Sequence, residues 1–136
     1  FREYVDSQEF GIEIVNDLRG NYVTTFAKKK IAMRAGETDI AEIVDSSFFM
    51  DISNKISKGL GHISILDTDC FVTTCGKIYL LEMNCRFGGQ YPFSHIAGAN
   101  LPLQIIKWLA GESTDISLLS PQISTRVCKD LHPVKY

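Results

Sequence analysis

Apolar and polar positions alternate along two early stretches, Glu9 to Asn16 and Asn21 to Lys30, which flank Leu18-Arg19-Gly20-Asn21. Alternation with a period of two marks a strand with two unlike faces. A glycine-bearing break between two such runs predicts a hairpin. With Arg19-Gly20 as a two-residue loop, Ile12 faces Ala27 and Ile14 faces Thr25, which gives one apolar face. The other face pairs Glu9 with Lys30 and carries Glu13, Phe26 and Lys28, a set that reads as too polar for core.

The period changes after Asp39. Ile40, Ile43, Val44, Phe48, Ile52 and Ile56 recur at three- and four-residue spacing, and this predicts an amphipathic helix from Asp39 to Lys58 that ends at Gly59. Two more strand-like runs, Ile63 to Val72 and Lys77 to Arg86, flank a turn at Cys75-Gly76. A second helix is expected from Leu101 to Ala110, with Asn100 as its N-cap, Pro102 in its first turn and Gly111 as its stop. The tail after Ser113 reads as irregular, with one short strand within Ile123 to Cys128. Hairpins of antiparallel strands with helices packed on one face make an α+β domain. Residues 1–112 form that domain, and 113–136 read as a tail or the start of a following segment. The chain opens on the strand-like Phe1-Arg2-Glu3-Tyr4-Val5 without an initiator methionine, as an excised piece of a longer protein would.

Composition narrows the functions available. The net charge of −2 and the lack of a basic stripe interleaved with aromatics exclude a nucleic-acid surface. Lys28-Lys29-Lys30 is the one dense cation run, and in a strand such a run reads as a solvated face. No apolar stretch reaches the roughly 18 residues of a membrane span, and the N-terminus is not a signal peptide. The cysteines at 70, 75, 85 and 128 form no Cys-x-x-Cys pair, so reduced thiols in a cytoplasmic protein are expected.

The chemistry concentrates between Tyr79 and Pro92. Alternation puts Glu82, Asn84 and Arg86 on one strand face and Leu81, Met83 and Cys85 on the other. A turn at Cys75-Gly76 sets Asp69 directly opposite Glu82 and Asp67 opposite Asn84. Opposed side chains have Cβ atoms about 5 Å apart, and two like charges at that distance repel. A divalent cation removes the repulsion; carboxylate and amide oxygens suit Mg²⁺ or Mn²⁺, and Mg²⁺ commonly combines one or two carboxylates with phosphate oxygens. Arg86, about 13 Å along the strand from Glu82, suits a further phosphate, and Gly88-Gly89 lets backbone N–H groups approach an anion. A metal-bridged polyphosphate is one reading of these residues; a solvated hairpin face with scattered acids is the other.

The segment Leu80-Leu-Glu-Met-Asn-Cys-Arg-Phe-Gly-Gly89 resembles the closing motif of the ATP-grasp family, in which Glu-x-Asn-Pro-Arg precedes small residues. Ile65-Leu-Asp-Thr-Asp-Cys-Phe71 resembles the strand before it, which supplies the other metal-binding acid. Arg2-Glu-Tyr-Val-Asp-Ser-Gln-Glu-Phe-Gly-Ile-Glu13 resembles the hinge that crosses the adenine and reaches the ribose. The resemblance covers residues 1 to about 111, is nearest to the carbamoyl-phosphate synthase large chain, and implies the C-terminal half of an ATP-grasp domain. It implies ATP and Mg²⁺ (or Mn²⁺) as cofactors, with Asp69, Glu82 and Asn84 as metal ligands. It further implies Arg86, and Arg34 in Met-Arg-Ala-Gly-Glu, on phosphate or substrate. Glu3, Tyr4 and Val5 would offer backbone to adenine and Glu9 a carboxylate to ribose, with Lys28 and Lys30 also counted among the nucleotide-binding residues. Cys85 stands where the family usually has proline, and its side chain is expected to point away from the site.

The implied reaction is carboxylate–amine (or related) ligation through an acyl phosphate, with small-molecule carboxylate and amine substrates. The glycine-rich loop and its lysine belong to a preceding part of the protein, so the chain alone is expected to be inactive. A non-catalytic nucleotide-binding descendant of the fold would lack a metal acid, and none is missing. An unrelated Mg²⁺-dependent phosphate enzyme would need a separate nucleophile or base beside the acids, which the sequence does not offer. His95 reads either as lining the acceptor pocket or as a capping or core histidine, and Trp108 reads as packing.

Overall fold

A computed structural model describes residues 6–130 and 135. The first hairpin joins β1 (Ser7–Asn16) to β2 (Tyr22–Arg34). Ile12 pairs with Ala27 and Ile14 with Thr25, as the alternation predicts, but the turn is longer than two residues. A bulge between Val15 and Asn16 admits the loop 17–21. There the Asp17 carboxylate accepts the N–H groups of Arg19 and Asn21 at 2.8 and 2.9 Å, and Gly20 takes φ +82°. Asn16 ties this corner down, accepting from Ser57 Oγ at 2.7 Å and donating to the His62 carbonyl at 2.8 Å.

The helix expected from Asp39 begins later. β3 (Glu37–Val44) occupies the first part of that stretch and pairs antiparallel with β2, and α1 (Met50–Leu60) holds the rest. Ile40, Ile43 and Val44 are β-branched, and their spacing satisfies either period. An open strand edge on β2 decides for the sheet, which is context overriding pattern. The α1 helix stops at Gly61, in the left-handed conformation at φ +61°, two residues beyond the expected stop at Gly59.

β4 (Ile65–Thr73) and β5 (Ile78–Asn84) form the second hairpin around Cys75-Gly76. The described sheet has six strands in the order β5-β4-β1-β2-β3-β6, with every pair antiparallel and β6 spanning Arg126–Cys128 beside β3. β6 lies within the short strand expected of the tail. The α+β class stands, but the helices occupy both faces rather than one. Ile52 and Ile56 of α1 pack on Ile12, Ile14, Ala27 and Leu66. On the other face α2 (Tyr91–Ile96) and α3 (Leu101–Leu109) bring Tyr91 and Leu101 onto Val15, Phe26 and Ile65. The short α2 has no periodic signature, because six residues, fewer than two turns, cannot show one.

α3 matches its expected bounds within a residue. Asn100 Oδ1 accepts the N–H of Leu103 at 3.2 Å, and Gly111 follows at φ +80°. Asn100→Ala is therefore expected to lower the unfolding free energy by about 1 kcal/mol, the usual worth of such a cap. Urea denaturation followed by circular dichroism measures it.

Candidate active site on the buried face of the sheet

Glu9, Gly11 and Glu13 of β1 share a face with Lys28 and Lys30 of β2 and with Asp67 and Asp69 of β4. Against the expectation that this face is too polar for core, Glu13, Phe26 and Lys28 are buried in it, and of the lysine run only Lys29, on the opposite face, is exposed. Glu13 and Lys28 are both 0% exposed, their charged atoms 2.6 Å apart. Ser94 of α2 completes the cluster, accepting from Lys28 Nζ at 2.9 Å and donating to Glu13 Oε2 at 2.7 Å. Burial outweighs the attraction of Glu13 and lowers the Lys28 pKa. Lys28 thus lies buried and outside the cleft walls, holding α2 to the sheet.

Above it opens a cleft of about 170 Å³, walled by Lys30, Asp67, Asp69, Glu82, Asn84, Arg86 and Gln90 among others. Asp69 pairs with Glu82 and Asp67 with Asn84, the register expected from the turn. A bulge follows between Asp69 and Cys70, where Leu81 has no opposite number and Cys70 pairs with Leu80. Asn84 Nδ2 donates to Glu82 Oε1 at 2.9 Å. Lys30 Nζ lies 2.8 Å from Asp69 and 2.7 Å from Glu9. Burial works against its charge, but hydrogen bonds to the two acids prevail and raise the Lys30 pKa. Asp67 is shifted upward, chiefly by burial and further by the charges of Glu13 and Asp69, against the hydrogen bond from Gln90.

The other expected residues divide. Arg86 reaches the cleft, and its Nη1 donates to the Phe87 carbonyl at 3.1 Å. Arg34 turns to Asp39 at 3.0 Å, with its side chain 54% exposed, and is not among the cleft walls. Cys85 is exposed and takes no part in the cleft. His95 is exposed on α2, and Trp108 packs against the core as expected. Glu3, Tyr4 and Val5 lie outside the described residues. A Cβ at Gly88 would sit 1.9 Å from Asp67 Oδ2, so this glycine makes room for a carboxylate.

Sequence reasoning missed Gln90, Glu37 and Lys129. Gln90 Nε2 donates to Asp67 and to Asp69, each at 2.9 Å, and Lys129 pairs with Glu37 at 2.8 Å on the cleft's far side. Gln90 follows the Gly88-Gly89 pair directly, which is a local signal; the Glu37–Lys129 pair spans most of the chain and leaves none.

Among the described residues no group of three or more His, Cys, Asp or Glu converges as a metal site. The donor set is instead two carboxylates, Asp69 and Glu82, with the amide of Asn84. These hard oxygens suit Mg²⁺ bound in part through phosphate, and the two acids face each other from paired strand positions, so the donor chemistry fits the ion.

Known structures share this architecture. Biotin carboxylase from Campylobacter jejuni, solved with β,γ-ATP, superposes with a TM-score of 0.67 at 18% identity, over 92% of this chain and 30% of that one. The biotin carboxylase domain of Hydrogenobacter thermophilus 2-oxoglutarate carboxylase, in complex with MgADP and bicarbonate, gives 0.63 at 16%, over 90% and 29%. N5-carboxyaminoimidazole synthetase from Staphylococcus aureus gives 0.62 at 14%, over 84% and 32%. The chain spans about a third or less of each, and at these identities the likeness is one of fold. No curated protein matches the chain in sequence. The chain belongs to the ATP-grasp family described as "ATP-grasp in the biosynthetic pathway with Ter operon", which it matches over residues 1–130. Among the described residues no helix is long and apolar enough to cross a membrane.

Proposed function

We propose that this chain supplies the metal–nucleotide half of the active site of an ATP-dependent carboxylate–amine ligase. The observation that carries the reading is the juxtaposition of Asp69 with Glu82, beside Asn84, in a cleft that also holds Lys30 and Arg86. Asp69, Glu82 and Asn84 would hold a divalent cation, which would supply positive charge to the polyphosphate. Arg86 offers a guanidinium fork to phosphate oxygens, and Lys30, held by Glu9 and Asp69, adds an ammonium to the same wall. In the ligase reaction the carboxylate takes the terminal phosphoryl group of ATP, giving an acyl phosphate and ADP; an amine then attacks the acyl carbon and phosphate leaves. A preceding part of the protein completes the cleft and covers the nucleotide.

Incubation of the full-length protein with Mg²⁺, ATP and panels of carboxylates and amines tests this: ADP release should require a carboxylate. ATP hydrolysis indifferent to any carboxylate would overturn the ligase assignment. In the same assay Glu9→Ala is expected to raise KM for ATP severalfold with little change in kcat. A ribose hydrogen bond exists both before and during phosphoryl transfer, so its loss is a loss of uniform binding. Lys30 keeps Asp69 as a partner in the variant. An unchanged KM with a collapsed kcat would show that Glu9 does not act on the ribose.

A further inference from the structure

Gln90 precedes α2 as its N-cap residue, yet its side chain caps nothing. It is 5% exposed and reaches across to β4, where one amide nitrogen meets Oδ1 of Asp67 and Oδ1 of Asp69. An amide nitrogen carries two hydrogens, and here each serves a different carboxylate. The amide oxygen is buried and has no partner, so the side chain is placed by what its N–H groups hold.

The backbone is cut to fit this arrangement. Gly11 lies opposite Asp69 in the β1–β4 register, and a Cβ at that position would come 1.7 Å from Gln90 Oε1. Gly88 clears the same kind of space for Asp67. Behind Gln90, α2 is fixed to the sheet by Ser94, which bridges the buried Glu13–Lys28 pair. The acids are therefore aimed by a chain of contacts that begins in the core.

The residue type matters as much as its place. Asp67 and Asp69 are two apart on one strand face, and Glu82 lies opposite Asp69. A lysine in place of Gln90 would contribute the charge that a bound cation must supply. A glutamate would set oxygens against oxygens. An amide stabilises both carboxylates and adds no positive charge to the one that Lys30 already brings to Asp69.

We propose that Gln90 is a positioning residue of the divalent-cation site, setting its affinity by holding Asp67 and Asp69 in fixed orientation. This rests on the metal reading given above. Groups that orient metal-binding carboxylates typically change affinity by about 10- to 100-fold when removed.

Mn²⁺ alone is the probe, its free concentration read by electron paramagnetic resonance on the full-length protein, with thermal midpoints taken in EDTA and in Mn²⁺. Gln90→Leu is expected to weaken Mn²⁺ binding by about tenfold or more. Gln90→Glu is expected to lower the midpoint in EDTA and to regain more on adding Mn²⁺ than wild type does. Glu82→Gln separates the metal site itself from the role of Gln90 in it. If wild type binds no Mn²⁺, or Glu82→Gln binds it unchanged, the metal reading falls and this proposal with it. If Glu82→Gln loses Mn²⁺ while Gln90→Leu keeps wild-type affinity within about twofold, far short of the change such partners cause, Gln90 is only a packing residue and the proposal alone is overturned. Should Gln90→Leu fail to fold, a Gln90→Glu midpoint that gains no more from Mn²⁺ than wild type overturns it equally.

Discussion

Glu82→Gln in the full-length protein is expected to reduce ATP turnover at least tenfold and to leave the fold intact. The substitution keeps the side chain's shape and an oxygen for the Asn84 amide, which now bonds Glu82 Oε1 at 2.9 Å. It removes one of the two charges that face each other across β4 and β5. A cation placed at developing phosphoryl charge is worth several kcal/mol, and each 1.4 kcal/mol is about tenfold in rate. Asp69→Asn should match it in activity, and the double variant should fall far short of additive loss, since both acids serve one ion. In metal-free buffer the two diverge. Glu82→Gln relieves a repulsion at an exposed position and should be neutral or stabilising by up to about 1 kcal/mol. Asp69→Asn deprives the buried Lys30 of a partner at 2.8 Å and should cost stability. If both single variants keep more than about a tenth of wild-type kcat, a deficit under about 1.4 kcal/mol, these acids do not hold the metal.

Lys28→Ala is expected to have the largest effect on stability, a loss of about 3–5 kcal/mol, because it strands a buried carboxylate. Glu13 is 0% exposed, its Oε1 has no partner, and without Lys28 only Ser94 would remain on Oε2. Replacing both members by apolar groups, Glu13→Leu with Lys28→Met, should recover most of that loss, since no charge is then left in the core. Urea denaturation of the single and double variants gives the comparison. A Lys28→Ala cost below about 1 kcal/mol, in the range of an exposed pair, would mean that water reaches Glu13 and that the pair does not anchor α2.

The site was more legible in the sequence than the core around it. Turn position and alternation put Asp69 opposite Glu82, as observed, although the ladder nearer the tip runs one residue out of the expected register and the unpaired Leu81 brings the acids back into phase. The face beneath is not legible from Glu13 and Lys28 taken singly. As isolated charges they cannot be buried; as a pair capped by Ser94 they can, and Ser94 lies 66 residues from Lys28 on a helix with no periodic signal. The same limit hid Gln90, whose role depends on where α2 docks. It also displaced the start of α1, since Ile40 and Ile43 satisfy either period and only the waiting edge of β2 decides between them. Local pattern conveys what neighbours in sequence do, and these features are made by neighbours in space.

The unpaired Leu81 has a consequence for how this hairpin can vary between related proteins. It interrupts the ladder between the acids and the tip, so Asp69–Glu82 and Phe71–Tyr79 keep the same side of the sheet although the two β5 positions are three apart. An insertion or deletion at residues 74–76 is met at the bulge before it reaches the carboxylates. The tip can therefore change length over generations, to suit whatever lies beside it, while the acid pair stays in phase.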